Sequence, residues 1–389
     1  MSISVNGILF ALLRDSICDD AVDVPSQADL QPSVLQELYK LSKQHDVAHL
    51  AYRGLEKQGL LENGETVAKF CKQQMLAIYR CQRIEYELSR ICQSLAEAQI
   101  PFIPLKGSVL RKYYPEAWMR TSCDIDVLVH ESDLERAIDC LVTQRNYINQ
   151  GRDYHDVSLF SAGGVHLELH FDLVEDEYAN EARKVLSKVW EAVSPKAGYR
   201  YCFEMTDEMF YFYHIAHMAK HFEFGGCGIR PFLDLWILDH RVQYDQSART
   251  RLLEEGNLRI FAEQSRKLSA VWFSNAQPDD VCIQMQEYIL NGGVYGTLEN
   301  RVAVQQKRSG GKLGYIISRV FLSYDSLKVL YPILQNHRRL MPFMQVHRWF
   351  RLLFKGRLKS SLHELNVNKS ISQERISETA ELLTKLGLQ

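Results

Sequence analysis

Residues Leu105 to Val129 read LKGSVLRKYYPEAWMRTSCDIDVLV, and the rest of the chain is best understood outward from them. A strand-like run, Ile100 to Leu105, breaks at Lys106-Gly107-Ser108, where a glycine lets backbone N–H groups come close to a phosphate. A helical stretch and Arg120 follow, and Asp124 and Asp126 then sit inside a second apolar run. Side chains two apart on a strand share a face, so the two carboxylates stand side by side. Such a pair repels unless a cation or a proton is shared between them. The combination points to a site for a metal ion and a nucleotide.

Downstream, Ser132 followed by Glu135 has the form of a capping box for a helix from about 132 to 145. Strands are expected at Tyr147–Ile148 and His155–Phe160. After Gly163-Gly164 the run Val165 to His170 alternates strictly, with Val165, Leu167 and Leu169 on one face and His166, Glu168 and His170 on the other. An apolar face backed by a His-Glu-His row suits a strand lining a polar cleft. Upstream, Pro101 and Pro104 make the first strand edge-like. A long helix is expected from Glu65 to Ala98, with Ile84, Leu88, Ile91, Cys92 and Leu95 as its packing stripe. Residues 1–64 read as helical up to a turn at Asn63-Gly64, with Ser33 as a cap. His45 and His49 lie four apart without a third ligand nearby, which reads as histidines at a helix surface or boundary.

From Thr206, a natural cap, the pattern is helical to the end. His214, His217 and His221 share a helix face, but the glutamate of an HExxH zinc motif is missing, so ligand contacts or polar packing are expected of them. The loop Gly225-Gly226-Cys227-Gly228 leads to Arg230, which can approach a phosphate. Ser309-Gly310-Gly311-Lys312 lacks the spacing of a P-loop. Met344 to Leu358 forms a basic amphipathic helix, a type that can lie on anionic membranes or grip nucleic acid. Packing through Trp349, Leu353 and Phe354, with the basic residues solvated, is the simpler expectation. The end, from about Ser360, is polar, helix-prone and expected to be mobile. This organisation gives an N-terminal helical region (1–98), an α/β core (99–204), a C-terminal helical domain that turns basic toward its end (205–359) and a polar helical tail (360–389).

Composition narrows the class. An apolar fraction of 46% over 389 residues supports a substantial core. The nine cysteines show no CxxC spacing, which suits a reducing compartment rather than a disulfide framework. The N-terminus lacks the basic region and cleavage site of a signal peptide, and no uncharged apolar run nears the roughly 18 residues of a membrane span. The expectation is a soluble, cytoplasmic protein. Net charge is only −2, yet residues 301–359 hold thirteen Lys and Arg against the single acid Asp325. That segment is a candidate for phosphate, nucleic-acid or peripheral membrane contact.

With these residues in view, the chain resembles the nucleotidyltransferase superfamily of DNA polymerase β-like fold, marked by a Gly-Ser turn, an Asp-x-Asp strand and a later acidic strand. LKG followed by DIDVLV and LELHFDL is similar to a bacterial group of nucleotidyltransferase family proteins, as are HIAHMAKHF, GIRPFLDLW and YPILQNHRRLMPFMQVHRWF. The resemblance spans roughly residues 35–355. It implies an α+β fold, a small mixed sheet with helices set between N-terminal helices and a large C-terminal helical region. It further implies that Gly107 and Ser108 form the phosphate turn, and that Asp124, Asp126 and Glu168 hold Mg²⁺ or Mn²⁺, with Glu168 as a ligand or general base. Lys106, Arg120 and His170 match features of the narrower group and are assigned to phosphates or the acceptor, while Arg230, read from its loop, is assigned to phosphate. The interval from Gly107 to Asp124 is longer than in compact members of the superfamily.

The expected reaction moves a nucleoside monophosphate from an NTP such as ATP to an acceptor hydroxyl on a small molecule, glycan precursor or protein. The competing readings are an inactive nucleotide-binding or regulatory protein of the same fold, and a nucleic-acid-binding protein using residues 301–359. A zinc deaminase is set aside because His166-x-Glu168 has no PCxxC after it. A kinase or Rossmann enzyme is set aside because no GxGxxG follows a strand.

Overall fold

Four helices precede the first strand: α1 (Val5–Ile17), α2 (Pro32–Gln44), α3 (Ala48–Lys57) and α4 (Glu65–Glu97). The computed structural model describes residues 4–18, 26, 29–61, 64–173, 181–354 and 358–388. Asn63 of the expected turn lies outside them. Ser4 caps α1 by accepting from the Gly7 N–H at 3.2 Å. The expected cap Ser33 lies inside α2 instead. Pro32 takes the first helical position, where a missing N–H costs nothing. His45 and His49 are also corrected: both are buried, not on a helix surface. The 33 residues of α4 join two cores, with Phe70 in the helical body and Ile84, Ile91 and Leu95 beneath the sheet.

The sheet has five strands, β1 (Phe102–Pro104), β2 (Asp124–Val129), β3 (Ile148–Arg152), β4 (Asp156–Phe160) and β5 (His166–His170), in the order β1-β2-β5-β4-β3. Only β2 and β5 pair in parallel; the other pairs are antiparallel. Pro104 sits where a missing donor is tolerated, on the edge strand β1. Between β1 and β2 come the short helix α5 (Gly107–Leu110) and two 3₁₀ turns. After β2, α6 (Leu134–Arg145) crosses back over the sheet. The capping box expected at Ser132 does not form. Asp133 N–H bonds His130 O at 2.9 Å in a preceding 3₁₀ turn, which delays the helix to Leu134.

One sheet face is apolar. Ile125, Val127, Val129, Val157, Leu159, Leu167 and Leu169 form a core with α4 and α6. Strand alternation sends Asp124, Asp126, Asp156, Glu168 and His170 to the other face, toward the C-terminal helices. Helix α7 (Glu181–Leu186) and the hairpin β6 (Val193–Pro195) and β7 (Phe203–Met205) close this unit, and the hairpin is tied to β1 where Phe102 N–H bonds Tyr201 O at 2.9 Å.

The helical body comprises α8 (Asp207–Glu223), α9 (Arg230–Arg241), α10 (Gln246–Glu255), α11 (Arg259–Ser274), α12 (Asp280–Leu290) and α13 (Leu298–Arg308). Thr206 caps α8 as expected, accepting from Met209 N–H at 3.3 Å. The N-terminal helices share this body's core: Phe10 of α1 stacks on Trp272 of α11 at 4.6 Å. Beyond lie α14 (Lys312–Val320), α15 (Tyr324–Leu330), α16 (Met341–Phe354), α17 (Leu358–Ser370) and α18 (Gln373–Lys385). The chain end expected to be mobile is tied down, since Leu382, Leu383 and Leu386 are buried in the same core as Phe10 and Trp272.

Candidate functional site

The β2–β5 register sets Asp124 opposite His166 and Asp126 opposite Glu168, while Asp156 of β4 pairs with His170. The result is a row of acids and imidazoles across three strands. Lys106 reaches it from the break after β1, with Nζ 2.7 Å from Asp126 Oδ1 and 3.7 Å from Glu168 Oε2. Its backbone is held at φ +44°, a region that side chains other than glycine rarely occupy and that tends to mark functional sites. His170 lies across from Lys106, with Nε2 3.0 Å from Asp126 Oδ1 and 3.5 Å from Glu168 Oε2.

These contacts divide the carboxylates. Burial alone would raise the Asp126 carboxyl, but the Lys106 charge and the His170 hydrogen bond outweigh it and hold Asp126 well below the usual range. The His170 hydrogen bond likewise keeps Glu168 low, against burial and the Asp126 charge. Asp124 moves the other way: burial with the Asp126 and Glu168 charges pushes it up, against the weaker pull of Lys106 and Arg230. Burial opposes charge on both cations, yet Asp126 raises Lys106, and hydrogen bonds to Asp126 and Glu168 raise His170. Lys106 and His170 thus hold Asp126 and Glu168 low, while Asp124 beside them is held high.

The row opens into a cavity of about 400 Å³ between the sheet and the helices. Its opposite wall carries His217, Lys220 and His221 of α8, Arg230 at the start of α9, and Tyr295 from the turn before α13. The turn is fixed by close backbone approach. A Cβ on Gly296, which sits at φ +70°, would lie 2.0 Å from Gly225 O, so only glycine fits there. The glycine-rich loop leading to Arg230 is thereby clamped to the turn that carries Tyr295.

The site residues expected from sequence do not all converge. Asp124, Asp126, Glu168, Lys106 and Gly107 line the cavity together, and His170 stands behind Lys106. Ser108 uses its N–H within the turn, on Leu105 O at 3.0 Å. Arg120 and Asp234 of α9 line the same cavity but are committed to each other, Arg120 Nε lying 2.6 Å from Asp234 Oδ1, and Tyr114 donates to the same oxygen at 2.7 Å. Arg230 lines the cavity but spends Nη1 on Asp46 at 2.7 Å and Thr121 O at 3.1 Å. Of the α8 histidines, His217 and His221 meet at 3.2 Å, whereas His214 bonds Pro231 O.

Among the described residues, three sets of side chains bring one ligand atom each to within 4.8 Å of one another: Asp124, His166 and Glu168; Asp126, Glu168 and His170; His155, Asp156 and His170. The first two supply the carboxylate oxygens a hard dication prefers, at a place that already draws the Lys106 ammonium, so the residues fit such an ion. His155 and Asp156 were not singled out in sequence. The alternation of β4, with Val157 and Leu159 inward, carried the signal for Asp156. Lys220 and Tyr295 carried none.

A mixed sheet of this order, with paired aspartates on one strand, a third carboxylate on its parallel neighbour and helices around it, is a nucleotidyltransferase core. The chain belongs to a family described as uncharacterised nucleotidyltransferase, whose model matches residues 32–274. No curated protein and no solved structure matches it.

Proposed function

We propose that the protein transfers a nucleoside monophosphate from an NTP to an acceptor hydroxyl and releases pyrophosphate. The observation that carries this reading is the register of Asp124, Asp126 and Glu168 on two parallel strands at the cavity wall. Asp124, Asp126 and Glu168 would hold a divalent cation such as Mg²⁺, which supplies neutralisation of the phosphate charge when bound. Glu168, ionised and only partly buried, orients the acceptor hydroxyl and takes its proton, which passes on to solvent. The acceptor oxygen bonds the α-phosphorus as the bond to the β-phosphate's bridging oxygen breaks. Lys106 moves from the carboxylates to the non-bridging phosphate oxygens, and Lys220 and Arg230 extend the positive wall for the leaving pyrophosphate. The rate comes from positioning and electrostatics rather than from a covalent intermediate.

Mass spectrometry of reactions with each NTP and cell-derived acceptors tests the proposal. Metal-dependent pyrophosphate release with a nucleotidylated product is expected of the parent and not of Asp124→Asn/Asp126→Asn. One observation favours a second reading: Lys106 already satisfies Asp126 and Glu168, as in a fold that binds nucleotide without turning it over. Calorimetry showing tight NTP binding with no consumption across the acceptor panel would decide for that reading.

A further inference from the structure

Helices α14 and α16 each turn an apolar stripe to solvent. On α14, Leu313, Ile317 and Val320 are exposed at spacings of four and three, and Phe321 extends the row. On α16, Phe343, Val346 and Phe350 are exposed at spacings of three and four. These spacings place each set on one side of its helix. The basic amphipathic segment was expected to pack its apolar side on the protein, and only part of it does. Trp349 Nε1 donates to Val320 O at 2.9 Å, and Arg348 bonds Val320 O and Arg319 O, so α16 is fastened to the end of α14. The side chains of Leu353 and Phe354, and all of Lys355, lie outside the described residues. The phenylalanines Phe343 and Phe350 remain outside the contact, 69% and 55% exposed, and Leu330 and Ile333 between the helices are exposed as well.

Apolar stripes left uncovered on two helices fastened to each other mark a surface that meets something. Its charge selects the partner. Residues 301–359 carry thirteen Lys and Arg against Asp325 alone; Arg308 and Arg319 pair with Glu223 and Glu364 from outside the segment and Lys328 with Asp325, while Arg338, Arg339 and Arg351 have no carboxylate partner among the described residues. We propose that this face docks the protein on an anionic membrane surface, with the stripes entering the headgroup boundary and the arginines against lipid phosphates. The same charge argues against a second copy of the chain on this face, since two such surfaces repel. Nucleic acid would use the arginines but would leave Leu313, Ile317, Phe343 and Phe350 unburied. Among the described residues no helix is long and apolar enough to cross a membrane, so the contact is peripheral. Tyr154 OH donates to Asp325 O at 3.3 Å, which sets the face beside the β3–β4 turn whose Asp153 and His155 line the cavity.

Co-sedimentation of the full chain with vesicles tests the proposal without reference to activity. The parent is expected to pellet with vesicles of equal parts phosphatidylcholine and phosphatidylglycerol, to stay in solution with phosphatidylcholine alone, and to be released by salt. Phe343→Ser/Phe350→Ser and Arg338→Glu/Arg339→Glu should each lower the bound fraction, the charge reversal by more than roughly tenfold. Both pairs are solvent-exposed, so thermal unfolding should match the parent. The proposal is overturned if the parent ignores anionic vesicles at low salt, or if it binds them equally well after Phe343→Ser/Phe350→Ser. Vesicle-independent RNA retention that only the charge reversal abolishes, or a dimer that only the phenylalanine variant abolishes, would overturn it in favour of those partners.

Discussion

Two clusters pair a cation from the β1–β2 segment with a buried carboxylate, and they behave as opposites. Arg120 and Asp234 leave 9% and 1% of their side chains exposed, and Tyr114 completes the seal. Lys106 and Glu168 leave 24% and 26% exposed at the cavity, and Asp126 is contested by Lys106 and His170 together. The first cluster joins the β1–β2 segment to α9 at the cavity wall, with both charges almost fully buried against each other. The second opens on the cavity through Lys106 and Glu168, both partly exposed. A buried charge pair with one fixed partner holds the fold, whereas one with alternative partners and an opening is available for chemistry.

The largest effect expected is on the open cluster. Asp124→Asn/Asp126→Asn should cut turnover by about 10³–10⁴-fold, equivalent to roughly 4–5.5 kcal/mol of transition-state stabilisation, with little change in unfolding midpoint. Initial rates beside urea denaturation measure both. The sealed cluster should show the reverse: Asp234→Ala strands Arg120 without a counter-charge and should cost about 3–5 kcal/mol of stability. Equal loss of stability in both variants would erase the distinction between the clusters.

A pH test follows from His45, which burial pushes down to about 4. The unfolded chain takes up this proton near pH 6.5 and the folded chain does not, so the contribution is intact above that pH. It falls as pH drops toward 4, by roughly 3 kcal/mol over the window. His45→Gln should flatten that part of the stability profile, read from urea midpoints at each pH. The smallest effect sharpens the exchange idea. Lys106→Met should lower turnover by about 10²-fold yet strengthen Mg²⁺ binding in the absence of nucleotide, because a competing cation is gone. Unchanged Mg²⁺ affinity by calorimetry would show that Lys106 does not exchange with metal.

The carboxylate row was legible because strand alternation is local: Asp124 with Asp126, and Glu168 with His170, declare their shared faces without any partner strand. The partner of Arg120 was hidden for the opposite reason. Arg120 sits in the stretch that bears the site, but its partner Asp234 lies 114 residues along the chain. Asp156 joined the row only once β4 paired with β5. The cap at Thr206 was readable, while Ser33 and Ser132 lost their helix starts to Pro32 and to a 3₁₀ turn, differences of one or two residues that tertiary context decides.

By itself the sequence determined the class of core, the acidic triad and the concentration of positive charge in residues 301–359, since periodicity, residue chemistry and charge are properties of neighbours along the chain. Only the tertiary structure decided which cation meets which acid, how the Gly225–Gly228 loop and the Tyr295 turn close the cavity, and which apolar stripes remain uncovered. Those outcomes depend on close approach between segments far apart in sequence, and on burial, which sets whether a charge is pinned or free to exchange.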